Sequence, residues 1–196
     1  MSDPATFIEV DERAAVRFVR RYRLSGARVW EAVTAPEHLA RWFPSPEVTY
    51  EPRVGAEIGF AGDPHLPTFR GTVLTWDPPR RFAFSWGGDE VRFDVEPDGE
   101  GTGDGDGATL TLTDLLDQPG AAARNAAGWE ACLRSLDALL AGQATVGPHV
   151  DEEAGIWREA YDRYVASGFP PMPRCPTCEP RQICEVRQRT ATGAFW

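Results

Sequence analysis

The sequence predicts an α+β domain in which antiparallel strands share one dry face and a single long helix covers it. Two observations carry this. From Arg81 to Leu115 the chain alternates apolar and polar residues with a period of two, around a Gly87-Gly88 hairpin. From Ala121 to Leu140 the period changes, and Trp129, Cys132, Leu133, Leu136, Leu139 and Leu140 recur at the three-and-four spacing of an amphipathic helix. A third stretch, Ser25 to Phe43, reads as two short helices in tandem. Their aromatic faces, Trp30, Leu39, Trp42 and Phe43, are too short-lived in isolation and need a cover.

In order, Ala15 to Leu24 reads as the first strand, with Val16, Phe18, Arg20 and Tyr22 on one face and Arg17, Val19, Arg21 and Arg23 on a solvated one. Ser25 is placed to cap the first helix. Thr34 and Glu37 have capping-box spacing for the second, with Pro36 in its first turn. Short strands follow at Val48 to Tyr50 and Glu57 to Phe60, joined by a Pro-Arg-Val-Gly turn. The segment Ala61 to Thr68 is a loop. Phe69 to Asp77 is a strand that ends at Pro78-Pro79.

Phe82, Phe84 and Trp86 then share a face in one strand, Val91, Phe93 and Val95 in the next, and Leu110 and Leu112 in the last, opposite Thr109, Thr111 and Thr113. Residues Pro97 to Gly107 form a polar hairpin loop. Its acids lack the twelfth-position glutamate and the flanking helices of a calcium loop. Asp117 is a candidate cap before the long helix, and Gly142 a stop after it. Three parts result: an N-terminal segment, residues 1–14; the domain, residues 15–142; and an extension, residues 143–196, with one helix near 151–167 and a proline- and cysteine-containing tail.

Composition removes several function classes. At 196 residues and 42% hydrophobic content the chain can bury a core. A formal charge of −10 disfavours nucleic acid and anionic membranes, which it would repel. All 20 basic residues are arginine, so lysine Schiff-base chemistry and the P-loop lysine are excluded. The first fifteen residues carry acids, a proline and no long apolar run, and the cytoplasm is the expected compartment.

No catalytic residue, metal site or cofactor is assigned. Cys175, Cys178 and Cys184 offer half a zinc site without a fourth ligand, a redox pair without a favourable helix N-terminus, or unligated tail thiols that could form a disulfide. His38, His65 and His149 are scattered, and no nucleophile elbow is present. The aromatic residues say more. Each fits a packed core, yet together they could line a cavity for an apolar ligand.

The order of strand, helix pair, six strands and long helix matches the helix-grip fold. Val29-Trp30-Glu31-Ala32-Val33-Thr34-Ala35-Pro36-Glu37-His38-Leu39-Ala40-Arg41-Trp42-Phe43, Gly71-Thr72-Val73-Leu74, Pro78-Pro79-Arg80-Arg81-Phe82, Phe84-Ser85-Trp86 and Gly128-Trp129 resemble successive motifs of the SRPBCC superfamily. Within it they most resemble the branch named for activators of the heat-shock protein 90 ATPase, related to START and Bet v 1 proteins. The resemblance covers about residues 15–142. It implies a curved antiparallel sheet gripping the C-terminal helix, with the helix pair closing one end and a cavity between. Family members bind lipids, hormones or polyketides, some catalyse cyclisations, and the eukaryotic activators bind the chaperone. Residues 143–196 depart from the family pattern.

The expected function is cofactor-free binding of an apolar or amphipathic small molecule between sheet and helix, lined by Trp42, Phe43, Phe60, Phe84, Trp86, Phe93, Trp129 and Leu133. One alternative is a protein-interaction or chaperone-regulating module that uses the acidic surface or the extension, with a second copy or another protein as partner. Another is a cyclase or hydrolase, for which His65, Arg70 and Asp114 are the candidate polar groups.

Overall fold

The computed structural model describes residues 3–63, 66–98, 107–145, 147 and 151–171, with the side chains of 151–154 left out. His65, His149, residues 99–106 of the polar loop and the three tail cysteines lie outside the described residues. The strands are β1 Thr6–Val10, β2 Arg13–Tyr22, β3 Glu47–Tyr50, β4 Glu57–Ala61, β5 Phe69–Asp77, β6 Arg81–Trp86, β7 Asp89–Pro97 and β8 Ala108–Leu115. The helices are α1 Gly26–Thr34, α2 Pro36–Leu39, α3 Ala122–Leu140 and α4 Asp151–Ala166, and a 3-10 turn, Pro119–Ala121, leads into α3.

All eight strands form one antiparallel sheet in the order β1-β2-β8-β7-β6-β5-β4-β3. Its dry face carries Val16, Phe18, Ile58, Phe60, Phe82, Phe84, Trp86, Val91, Phe93, Leu110 and Leu112, each at most 2% exposed. The helix α3 lies across that face with Ala126, Trp129, Leu133 and Leu136 fully buried against it. Period two on the strands and period 3.6 on the helix thus meet in one core. Between β2 and β3 the pair α1–α2 closes one end: the Tyr50 hydroxyl donates to the carbonyl of Thr34 at 2.6 Å, and Trp30 packs on Trp76 at 5.4 Å.

Several expected boundaries move for local reasons. The first strand begins at Arg13 rather than Ala15, because Thr6–Val10 pairs with it through a two-residue turn. Asp11 and Glu12 both have positive φ there, 51° and 62°, a geometry usually supplied by Asn or Gly. The capping box at Thr34 does not form. Thr34 is still the last residue of α1, its hydroxyl donates to the Trp30 carbonyl at 2.7 Å, and Ala35 takes the cap position of α2. Ser25 occupies its cap position through its backbone carbonyl alone, which accepts from Arg28 and Val29. Asp117 does not cap the following turn: Gln118 stands there, and the Asp117 amide is turned to Asp89.

The end of α3 follows expectation. Gly142 adopts φ 71°, its N–H donates to Leu139, and Gln143 N–H reaches back to Ala138. These two bonds satisfy carbonyls that the helix end would otherwise orphan. Beyond it, α4 packs on the outer side of α3. Arg163 Nη2 donates to both carboxylate oxygens of Glu130, at 2.6 and 2.7 Å, and the Tyr164 hydroxyl also donates to Glu130. That same hydroxyl accepts the N–H of Ala5 at 3.1 Å, and the Ala123 N–H donates to Pro170. The extension therefore grips both α3 and the start of the chain.

One glycine marks a close approach. A Cβ at Gly71 on β5 would overlap the backbone oxygen of Ser85 on β6, which cannot swing aside. Gly71→Ala is therefore expected to destabilise the domain by about 3 kcal/mol, an overpacking cost with no flexible side chain to absorb it. Urea unfolding of the two proteins measures this.

Candidate functional site

The eight side chains expected to surround a ligand do come together. Trp42, Phe43, Phe60, Phe84, Trp86, Phe93, Trp129 and Leu133 are all buried to within 2% and belong to one core cluster. Phe43 is its centre: its ring lies 5.0 Å from Trp86, 5.7 Å from Trp42 and Trp129, and 6.0 Å from Phe60 and Phe84. Trp42 touches Phe93 and Phe60 touches Trp86, so the seven rings form one connected set. Most contacts are edge-on or tilted, the arrangement that ring quadrupoles favour. In the chain as it stands these rings fill the grip.

At one end of the aromatic cluster lies a polar group of residues. Asp114 is 1% exposed and Asp89 7%. The amide nitrogen of Asn125, on α3, donates to Asp89 Oδ2 and to Asp114 Oδ2, both at 2.9 Å. Trp129 Nε1 donates to the same Asp114 oxygen at 3.0 Å, and the Asp117 N–H donates to Asp89 Oδ1 at 2.7 Å. Arg124 donates to the Asn125 carbonyl oxygen at 3.2 Å. Asp114 Oδ1 is buried and has no hydrogen-bond partner among the described residues.

Burial first, and the neighbouring Asp89 charge second, push the Asp114 carboxyl up to about 7, against the pull of the Asn125 and Trp129 donors. Burial also raises Asp89. Two carboxylates bridged by one amide in a dry core cannot both carry full charge cheaply, so the pair takes up a proton as pH falls through about 7. The chemistry available is a buried carboxyl oxygen, Asp114 Oδ1, beside an aromatic wall, an acceptor when the pair is ionised and an O–H donor when it holds its proton.

Of Asp89, Asp114 and Asn125 the sequence points only to Asp114. Asp89 continues the Val91–Phe93–Val95 row by one step, as Asp114 continues Leu110–Leu112, and Asn125 is a polar residue four before Trp129 on the apolar stripe. Acids at the ends of dry rows were the available signal. Arg70, by contrast, is exposed and paired with Glu57 at 2.7 Å. His38 sits half-buried on α2. Among the described residues no group of three metal-ligating side chains occurs, and no helix is long and apolar enough to cross a membrane.

An antiparallel sheet closed over a long C-terminal helix, with an aromatic core between them, defines a helix-grip domain. The chain belongs to the family of Activator of Hsp90 ATPase homolog 1-like proteins, whose model matches residues 23–141. Among solved structures it is similar to CalU16 from Micromonospora echinospora, at 23% identity and TM-score 0.60 over 83% of this chain and 93% of that one. It is also similar to EF2215 from Enterococcus faecalis, a conserved protein of unknown function (18%, TM-score 0.61, 83% and 91%). The protein encoded by BPP1335 of Bordetella parapertussis is a third (24%, TM-score 0.59, 84% and 90%). These likenesses speak to fold. No curated protein matches the chain.

The raised Asp114 carboxyl has a stability consequence. A folded value above the unfolded one means that the native state holds the proton more tightly, so this contribution is complete below about pH 4 and is lost as pH rises to about 7. Unfolding free energy is expected to fall across that window by at most about 1.4 kcal/mol per pH unit from this group. Asp114→Asn should flatten the dependence, and denaturant unfolding between pH 5 and 8 checks it.

Proposed function

We propose that this chain binds an apolar or amphipathic small molecule between the sheet and α3, without a cofactor, in the cytoplasm. One observation carries the reading: an unpartnered buried carboxylate oxygen, Asp114 Oδ1, adjoins a continuous aromatic cluster through Trp129. Such an oxygen is costly to leave unmet, and a ligand hydroxyl, amide or amine would meet it while its apolar body lies among the rings. Membership of a helix-grip family supports the same placement.

Because the rings fill the grip, a ligand must displace some of them. The movable ones are Trp42 and Phe43, which follow the four-residue helix α2 rather than standing on a strand. The Trp42 indole is tied to the helix pair itself, donating to the Ala32 carbonyl at 2.9 Å, so the two can move with it. Binding is thus coupled to opening of the α1–α2 end, and its apparent affinity is reduced by the cost of that opening.

The filled interior also favours a second reading, a protein-interaction module that works through its surface. A second copy of the chain or another protein, including a chaperone, would be the partner. The two readings separate experimentally. Titration with a panel of fatty acids and aromatic polyketides should change tryptophan emission and raise the melting temperature, and Asp114→Asn should weaken members that carry a hydrogen-bonding group about tenfold. If emission and melting temperature stay constant across the panel, small-molecule binding is lost as an explanation and the interaction reading stands.

A further inference from the structure

The carboxyl pair at the end of the aromatic cluster has three of its four oxygens met by N–H donors. Asn125 serves Asp89 Oδ2 and Asp114 Oδ2, each at 2.9 Å, and Trp129 Nε1 adds a second bond to Asp114 Oδ2 at 3.0 Å. The Asp117 amide serves Asp89 Oδ1 at 2.7 Å. The fourth oxygen, Asp114 Oδ1, is buried in a residue 1% exposed and has no hydrogen-bond partner among the described residues.

Because no N–H competes for it, Asp114 Oδ1 is the oxygen on which a proton of the pair can sit. Neither state is then complete. With the proton, the oxygen is an O–H donor lacking an acceptor among the described residues; without it, an anionic acceptor lacking a donor.

The charges around the pair do not balance. Arg124, half-buried on α3, favours the ionised form of both carboxyls, and its Nε donates to Asn125 Oδ1 at 3.2 Å. Asp117, exposed after β8, opposes it at Asp89. The neighbouring strands bring only Val16 and Val91 opposite Asp114, and from α4 Tyr161 acts on Arg124. Two ionised carboxylates against one guanidinium leave a deficit of one positive charge.

A hydroxyl ligand would meet the unmatched oxygen and leave that deficit. A protonated amine would remove both: its N–H reaches Oδ1, and its charge replaces that of the proton in a dry setting where opposite charges count most. Trp129 and Phe43 behind it offer surface for the amine's body, and ring faces attract ammonium groups. The formal charge of −10 draws cations toward the chain.

We propose that the ligand held between the sheet and α3 is a primary or secondary amine on an aromatic or alkyl body, its ammonium seated on Asp114 Oδ1 in place of a proton. The inference rests on the small-molecule reading and specifies the polar end of that ligand. The exchange balances: the ammonium keeps its own protons, the Asp114 O–H bond breaks with its electron pair left on Oδ1, and the released proton passes to solvent.

The test takes the full chain and two matched pairs, phenethylamine with phenethyl alcohol and octylamine with octanol, by calorimetry in buffers of different ionisation enthalpy. Each amine should bind more tightly than its alcohol at pH 8. Between pH 6 and pH 8 the amines should gain about tenfold in affinity, releasing close to one proton on binding at the lower pH and almost none at the higher, since the Asp114 carboxyl sits at about 7. The alcohols should show neither effect. Asp114→Asn should erase the amine preference and the proton release, with near-ultraviolet circular dichroism reporting its fold; if it does not fold, the proton count on the unaltered chain decides alone. Amines that bind no better than their alcohols, or bind without proton release at pH 6, overturn the inference and leave the small-molecule reading standing. Failure of all four probes also overturns it, and the panel of fatty acids and polyketides then decides that reading by itself.

Discussion

Insertion of Phe43 between the sheet and α3 is the contact through which the other elements of the domain communicate. Its ring meets Trp86, Phe84 and Phe60 from the strands, Trp129 from the helix and Trp42 from its own segment. Remove it and the dry face of the sheet, the stripe of α3 and the short helix pair lose their shared partner at once. This is why a four-residue helix such as α2, with no stability of its own, has a defined place. Its order is borrowed from the aromatic residue that follows it.

The same dry interior sets the behaviour of the polar residues at its edge. Asp89 and Asp114 are not ion-paired at the surface but enclosed, and a single amide, Asn125, serves both. Exclusion of water raises their proton affinity and strengthens each hydrogen bond they make. A packed aromatic core and a protonatable carboxylate pair are thus two consequences of one burial. Arg20 shows the complementary case, a cation largely withdrawn from water that donates to the carbonyls of Asp3 and Val19 and lies over the Phe18 ring.

Much of the fold was legible because period-two and period-3.6 patterns switch cleanly along the chain. Phe82, Phe84 and Trp86 point one way for the reason the pattern gives, and Gly142 ends α3 with the positive φ that glycine allows. What escaped was chemistry that pattern does not encode. The β1–β2 turn uses Asp11 and Glu12 in a conformation that neither residue advertises. Thr34 and Glu37 have capping-box spacing, but α1 runs one residue further, and the hydroxyl bonds back into its own helix. For the site, the rings were readable and the polar pair only in part. Asp89 looks like the polar end of a strand until the sheet register and α3 place Asn125 across from it.

The docking of α4 gives the domain a mechanical asymmetry. Glu130, in the middle of α3, is clamped from outside by Arg163 and Tyr164, and Tyr164 is tied in turn to Ala5. The long helix is thereby held between sheet and extension, whereas the helix pair before Trp42 and Phe43 is held to the sheet by the Tyr50 hydroxyl and by Trp30 on Trp76. The two ends of the grip are therefore secured by different means, one by a charged clamp on the outside of α3 and the other by rings and one hydroxyl. Loss of the clamp would expose the outer face of α3, with Glu130 left without Arg163 and Tyr164, while leaving the aromatic contacts on its inner face in place.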